Sequence, residues 1–384
     1  MFFFDIKSIA KDYDSFKEKN INKSKIFKNS DLIEILKKYR NKKIFSIETA
    51  GYSVKYRKIF KIKCGYGKIK IFFWSQMHGD ETTGTKSIID ILNFFLEKKN
   101  NKLIKLFFDN FTIFFIPMLN PDGSEYFQRR NAMNIDLNRD SIKLISPEIN
   151  ILFKEIKKEN PNILFNLHDQ KRIYNVDNKK FNPAIISFLS PLSLSICKNK
   201  IYNSKIKSMG IIYEITKEIK KIIPSICSVG RYSNKYYPNA TGDFLQKKGY
   251  SYILIEAGNY PKDTNKNFVR KYHTLSIIIS LYLISCKNNI EKNYKLYSYI
   301  RKNKKILLDK IYRNVKIKTN GTISSLEIGF KNFEKFNYKK KIIEYELKIV
   351  DIGDLSNFFS YEEIIKEKIL NFFPKIGDIE SDII

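Results

Sequence analysis

Two hydrophobic patterns alternate along most of the chain. Short, almost continuously apolar runs have the length of strands buried on both faces. Longer segments with apolar residues at every third or fourth position are typical of helices. The runs predict strands at 44–48, 54–63, 68–74, 111–118, 163–167, 185–189 and 250–255, and the longer segments predict helices from Thr83 and at 147–158, 206–222 and 267–284. This alternation predicts an α/β fold with a mixed, mostly parallel sheet flanked by helices.

The pattern changes near both ends of the chain. Residues 1–44 are rich in Lys and Asn and contain a helical pattern, so we predict an N-terminal helical extension. We assign residues 45–286 to the α/β domain. Residues 287–384 contain strand-like runs at 315–318, 322–328 and 342–350 and a helix-like run at 362–373. They predict a small C-terminal accessory domain, either α+β or β-rich.

The chain is strongly basic, with 70 Lys and Arg against 40 Asp and Glu and a net charge of +30. Such a charge attracts nucleic acid, and a basic nucleic-acid-binding protein is the non-enzymatic alternative. The lysines, however, are scattered and accompany many Ile, Asn, Phe and Tyr residues, which A/T-rich codons encode. We therefore interpret the charge as a solvated surface and predict no specific nucleic-acid partner.

The cysteines and the longest apolar run indicate where in the cell the protein is located. The four cysteines are widely spaced and form no CxxC pair, which is typical of reduced thiols. The longest apolar run is too short to span a bilayer, so no membrane association is expected. We therefore expect a cytoplasmic protein.

The three histidines are His78, His168 and His273. His78 follows a predicted strand, with Glu81 three residues later, and His168 ends another strand. Side chains just past the carboxyl ends of strands meet where α/β sheets bind ligands. Two imidazoles and a carboxylate are a ligand set that catalytic zinc uses. We predict a metal site at His78, Glu81 and His168, and a structural role for His273 in its apolar helix.

Charged residues supply the other candidate groups. Glu256 ends a third apolar strand, where a carboxylate is unfavourable unless it has a partner or a role. Beside a metal it would serve as a general base. Arg is scarce in this Lys-rich chain, yet Arg129, Arg130 and Arg139 fall in one short window. Guanidinium groups bind carboxylates bidentately and stabilise oxyanions.

These residues lie in segments that resemble the zinc carboxypeptidase family, of the carboxypeptidase A and B type. The resemblance covers about residues 45–285, and the family's fold agrees with the α/β pattern. The landmarks, in chain order, are His78-Gly79-Asp80-Glu81, Asn120-Pro121-Asp122-Gly123, Asp136-Leu137-Asn138-Arg139, His168 and Ile255-Glu256-Ala257-Gly258.

The resemblance implies a role for each metal-site residue. His78, Glu81 and His168 would bind one zinc ion per chain. Glu256 would be the general base and later the proton donor to the leaving amine.

The resemblance also implies how substrate is held. Arg129 would help to polarise the scissile carbonyl and hold the oxyanion, although the local register also permits Arg130. Asn138 and Arg139 would bind the terminal carboxylate of the substrate. The family has a tyrosine on a loop before the catalytic glutamate, and three candidates occur here: Tyr232, Tyr236 and Tyr237.

The function that this resemblance implies is zinc-dependent hydrolysis of the C-terminal peptide bond of peptides. An alternative is a zinc-dependent deacylase or amidase that acts on small acylated amino acids or cell-wall peptides. Both kinds of substrate present a free carboxylate to Asn138 and Arg139.

Overall fold

The computed structural model describes residues 4–192, 199–233, 235–287, 289–366 and 369–382. Its central sheet has eight strands in the order β1-β2-β4-β3-β5-β9-β7-β8. Strands β4, β3, β5 and β9 are parallel neighbours, whereas β1, β2 and β7 add antiparallel pairs. The bounds are β1 Ser46–Tyr52, β2 Lys58–Cys64, β3 Ile69–Ser75, β4 Phe111–Ile116, β5 Ile163–Asp169, β6 Asn175–Val176, β7 Ala184–Leu189, β8 Ser228–Arg231 and β9 Ser251–Ala257. The mixed α/β sheet predicted from the sequence is confirmed.

Helices cover both faces of this sheet. Because side chains alternate along a strand, Phe73 packs into the larger core cluster, whereas Phe72 and Trp74 pack into the cluster on the opposite face. The α-helices are α1 Ile6–Lys11, α2 Tyr13–Phe16, α3 Asn29–Arg40, α4 Thr83–Phe94, α5 Asn101–Asn110, α6 Pro121–Glu125, α7 Pro147–Glu159, α8 Asn199–Ile219, α9 Thr241–Lys247 and α10 Asn267–Cys286. Short 3-10 helices occupy Lys19–Ile21, Leu137–Arg139, Ile290–Tyr299 and Glu380–Asp382. Within the described residues, no helix has the length and apolarity needed to cross a membrane.

A buried polar cluster joins the N-terminal helices to the α/β core. Asp90 on α4 accepts hydrogen bonds from Arg270 Nε on α10 at 2.7 Å and from the Tyr13 hydroxyl on α2 at 2.6 Å. The backbone N–H of Glu18 also donates to Asp90, at 2.8 Å. The N-terminal segment is therefore held on the core by hydrogen bonds to Asp90, which forms a fully buried charge pair with Arg270.

The C-terminal region forms a second sheet, in the order β13-β12-β11-β14, with β15 also paired to β11. A two-stranded pairing of β10 with β6 connects it to the central domain. The bounds are β10 Asn303–Lys304, β11 Leu307–Thr319, β12 Thr322–Asn337, β13 Ile342–Gly353, β14 Phe359–Ile365 and β15 Ile369–Leu370. The β-rich form of the predicted accessory domain is thus confirmed.

The helix predicted at 362–373 is wrong. Its first part is the end of β14, and β15 follows, while residues 367 and 368 lie outside the described residues. Both strands run parallel to β11, with Leu307 opposite Phe359 and Ile317 opposite Leu370. The edge of β11 supplies hydrogen-bond partners that outweigh the weak local preference for helix.

Candidate active site

Three strand ends of the central sheet bring the candidate residues to one edge. His78 follows β3, His168 lies near the end of β5, and Glu256 lies near the end of β9. In the parallel pairing of β5 with β9, His168 and Glu256 are direct neighbours. Parallel strands place their carboxyl ends at the same edge, where open α/β sheets bind ligands.

Two imidazoles and one carboxylate converge at this edge. His78 Nδ1 lies 2.8 Å from Glu81 Oε1, and His168 Nδ1 lies 2.6 Å from Glu81 Oε2. One ligand atom from each residue lies within 4.8 Å of those of the other two, and both imidazoles are buried. The structure therefore brings together the three residues that the sequence nominated as metal ligands.

A further carboxylate orients His78. Asp136 Oδ1 lies 3.1 Å from His78 Nε2, and its other oxygen accepts from Arg129 Nε at 3.0 Å. Metal-binding imidazoles commonly have such a partner on their second nitrogen, which fixes the tautomer. Asp136 is a functional residue that the sequence motifs alone did not single out. Two facts could have indicated Asp136 from the sequence. It begins the Asp-Leu-Asn-Arg segment, and a metal-binding histidine needs a hydrogen-bond acceptor for its second nitrogen.

The pKa values show how strongly these groups interact. Burial alone would lower the pKa of His78, but the Glu81 charge and the Asp136 hydrogen bond raise it to about 9. Burial would raise the pKa of Glu81, yet the two imidazoles hold it well below its ordinary value. The pKa of His168 is lowered because burial outweighs its contact with Glu81. The edge of the sheet thus concentrates charge in a site shielded from water.

Glu256 lies beside this cluster, and no residue in the described part of the chain forms an ion pair with it. It is buried, and no described residue makes a hydrogen bond to its Oε2. Burial raises its pKa well above the ordinary value, and the negative charges of Glu81 and Asp169 add to the rise. A buried carboxyl group with a raised pKa is typical of acid–base residues in active sites.

Arg129 and Arg130 point in different directions. Arg129 Nη1 lies 3.2 Å from Glu81 Oε1 and 3.1 Å from His78 Nδ1. Arg130 Nη1 instead donates to the Asn134 carbonyl at 3.0 Å. The guanidinium beside the candidate metal ligands is therefore that of Arg129, which favours it over Arg130 for the electrostatic role.

Asn138 and Arg139 lie in a 3-10 turn beside the cluster. Asn138 Oδ1 accepts from the backbone N–H of Thr241 at 3.0 Å, which fixes the orientation of its amide. Arg139 is exposed, and its guanidinium carbon lies 4.9 Å from the centre of the Tyr237 ring. An exposed guanidinium supported by an aromatic ring is available to an incoming carboxylate.

The three candidate tyrosines and His273 differ in how deeply they are buried. The Tyr232 hydroxyl lies 3.0 Å from that of Tyr174, and burial and the Glu256 charge raise its pKa. Tyr236 and Tyr237 are exposed. Tyr232 therefore belongs to the Glu256 side of the site and Tyr237 to the Arg139 side. His273 is buried in α10, where burial lowers its pKa to about 3.

Together these features define an α/β protein with a candidate metal centre at the carboxyl edge of its sheet. Residues 32–182 match the model of the zinc carboxypeptidase family, which confirms, over that part of the chain, the resemblance indicated by the motifs.

Individual relatives match over shorter segments. Carboxypeptidase 2 of Trichophyton rubrum is 30% identical over 102 residues, which are 27% of this chain and 19% of that protein. Carboxypeptidase SOL1 of Arabidopsis thaliana is 37% identical over 65 residues, or 17% of this chain and 13% of that protein. The chain thus spans about a fifth or less of the length of these curated relatives.

Solved structures show the same fold. A metallo-carboxypeptidase from Burkholderia cenocepacia superimposes with a TM-score of 0.54 at 13% identity, covering 68% of this chain and 69% of that one. Carboxypeptidase A from Helicoverpa armigera gives a TM-score of 0.50 at 14% identity, covering 73% of this chain and 81% of that one. At these identities the likeness establishes the fold alone.

Proposed function

We propose that this protein is a zinc-dependent metallocarboxypeptidase that hydrolyses the C-terminal peptide bond of peptides. The observation that carries the proposal is the convergence of His78, Glu81 and His168 beside a buried carboxyl group, Glu256. The family match over residues 32–182 supports the same reaction.

The residues at the sheet edge fit a zinc ion. Two imidazole nitrogens and one carboxylate are a ligand set of catalytic zinc sites, and Asp136 supplies the usual second contact to His78. His78, Glu81 and His168 would hold one ion per chain. When bound, zinc supplies Lewis acidity, which polarises a carbonyl group and lowers the pKa of water.

Glu256 would carry the proton from the attacking water to the leaving group. Its Oε2 makes no hydrogen bond to any described residue, so it is free to accept a proton from the attacking water. The raised pKa of its carboxyl group favours capture of that proton, which Glu256 would hold until it passes to the leaving amine nitrogen. One side chain would thus act first as a base and then as an acid.

Two guanidinium groups would stabilise the negative charges of the substrate, namely the oxyanion and the terminal carboxylate. Arg129, whose side chain is 42% exposed, would stabilise the oxyanion that develops on the scissile carbonyl. Arg139 would bind the terminal carboxylate bidentately while the amide of Asn138 donates to it. Recognition of that carboxylate would restrict cleavage to the end of a peptide.

The test compares peptides that differ only in their C-terminus. We expect hydrolysis of a peptide with a free terminal carboxylate and little hydrolysis of its C-terminal amide, because the amide lacks the charge that Arg139 binds. Release of the terminal amino acid is measured by mass spectrometry. Equal rates for the two peptides would contradict the role of Asn138 and Arg139. Preference for an acylated amino acid over every peptide would favour the deacylase alternative.

A further inference from the structure

The accessory sheet contacts three segments that adjoin residues of the candidate metal site. The first segment follows His168. There, Arg172 Nε donates to Asp309 Oδ1 on β11 at 2.7 Å, and its guanidinium carbon lies 4.1 Å from the centre of the Tyr361 ring on β14. The chain leaving the metal site at β5 is therefore fixed against the accessory sheet.

The second segment precedes α3 and lies against the residue after Glu81. Lys25 Nζ pairs with Glu334 on β12 at 2.6 Å, and the side chains are 13% and 32% exposed, respectively. The carbonyl of Lys25 accepts from Thr82 Oγ1 at 2.6 Å. Glu334 is thereby linked through Lys25 to the turn that carries Glu81.

The third segment precedes Arg129. The ring of Tyr338, at the end of the β12–β13 hairpin, lies 6.0 Å from that of Tyr126, centroid to centroid. Lys25 Nζ lies 5.5 Å from the centre of the Phe127 ring. The hairpin end thus reaches the loop that positions Arg129.

The carboxylate-binding residues lie on other elements. Asn138 contacts Thr241 on α9, and Arg139 contacts Tyr237 in the loop before it. A substrate whose carboxylate is bound there and whose scissile bond lies at the metal site extends its remaining residues away from α9. The segments that the hairpin contacts adjoin Glu81 and Arg129 instead.

We propose that the β12–β13 hairpin is the far wall of the substrate cleft and limits the length of the peptide that can be cleaved. This inference rests on the proposed carboxypeptidase function and adds a substrate class to it, namely short peptides. The hairpin is anchored at both ends, as a wall of the cleft would have to be. Its base is packed in the core of the accessory sheet through Ile328 and Phe330, and Glu334 and Tyr338 fix its outer half to the rim.

The direct test shortens the hairpin. Lys335 pairs with Glu344, so replacing residues 335–344 with an Asn-Gly turn closes the strands on the paired Glu334 and Tyr345. The measured quantity is kcat/KM for a dodecapeptide relative to that for an N-acylated dipeptide with the same C-terminal residues. We expect this ratio to rise about tenfold, because a barrier to the longer chain has been removed.

A charge reversal tests the same wall without a deletion. Glu334→Lys should raise the ratio by repelling Lys25, and adding Lys25→Glu to it should lower the ratio again by restoring an ion pair. Tyr338→Ala, which removes the contact with Tyr126, should also raise the ratio. Tyr299→Ala removes a highly exposed ring outside the hairpin, so it is the matched control and should leave the ratio unchanged. This set carries the test if the shortened chain does not fold.

The outcomes separate the two proposals. If the unmodified protein cleaves neither substrate, the carboxypeptidase function is wrong. If it cleaves the short substrate and the folded hairpin variants leave the ratio unchanged, the wall is wrong while the function stands. A rise in the ratio that the Lys25→Glu reversal cancels supports the wall.

Discussion

The two sheets of this protein differ in what lies on their faces. Every residue of β4 in the central sheet is buried, whereas much of β12 in the accessory sheet is exposed or half-buried. Ionisable groups at the carboxyl edge of the central sheet are shielded from water, and their pKa values are strongly shifted, as for Glu256. Ion pairs on the accessory sheet, such as Arg313 with Glu363, are partly solvated. The covered sheet therefore provides the water-shielded environment that shifts pKa values, whereas the exposed sheet provides solvated surface.

Neutralising Glu256 should have the largest effect. In Glu256→Gln the amide cannot accept the proton of the attacking water, so kcat should fall about 100- to 10,000-fold. Steady-state kinetics on a free-carboxylate peptide measures it.

The control for this change lies on the other sheet. Glu362 on β14 has a side chain that is 56% exposed, so Glu362→Gln should keep the kcat of the unmodified protein. A Glu256→Gln variant with nearly full activity would remove the basis for a general base at this position.

The second largest effect is expected from breaking the buried ion pair of Arg270 with Asp90. Arg270 and Asp90 have side chains 1% and 0% exposed, so Asp90→Ala leaves a buried charge without its main partner. We expect the free energy of unfolding to fall by about 3–5 kcal/mol. Denaturant titration measures it, with Asp14→Ala as a control because the Asp14 side chain is 76% exposed. Equal losses in the two variants would contradict this account of the N-terminal helices.

Removing the guanidinium of Arg139 should weaken substrate binding. Arg139→Gln loses a charge-assisted contact of about 1.5–3 kcal/mol, which corresponds to about a ten- to hundredfold loss in kcat/KM. The loss should be confined to substrates with a free carboxylate. Arg130→Gln is the matched control, because Arg130 donates to the Asn134 carbonyl instead. Similar losses in both variants would indicate a general effect of positive charge.

The smallest effect is expected on the accessory sheet. In Glu363→Gln, Arg313 keeps Glu327 at 2.8 Å, and the lost pair is 45% exposed on the Glu363 side. We expect a loss of about 0.2–1 kcal/mol in the free energy of unfolding, which salt should reduce further. A loss as large as that of Asp90→Ala would mean that the two sheets do not differ as described.

The sequence predicted most of the central sheet because its signals are local. A continuous apolar run such as 111–118 is readable as a buried strand, and polar residues after such runs indicate a site at the strand ends. The sequence therefore predicted His78, His168 and Glu256 as site residues, and these three lie together in the structure.

The features that the sequence did not predict depend on contacts between segments that are distant in the chain. The pairing of β14 with β11 decided the state of residues 359–365, and no local pattern encodes it. The contact of Asp136 with His78 Nε2 joins segments far apart in the chain, and the sequence alone did not show which group Asp136 contacts. The choice of Arg129 over Arg130 likewise required the direction of two adjacent side chains.

The most direct test of the central claim is the zinc content of the purified protein. Metal analysis by mass spectrometry should find about one zinc per chain in the unmodified protein and in Glu256→Gln, and almost none in His168→Ala. His273→Gln, which changes a histidine outside the ligand set, should keep the ion if the variant folds. Zinc retained in full by His168→Ala, or absent from the unmodified protein after incubation with excess zinc, would contradict a metal centre at His78, Glu81 and His168.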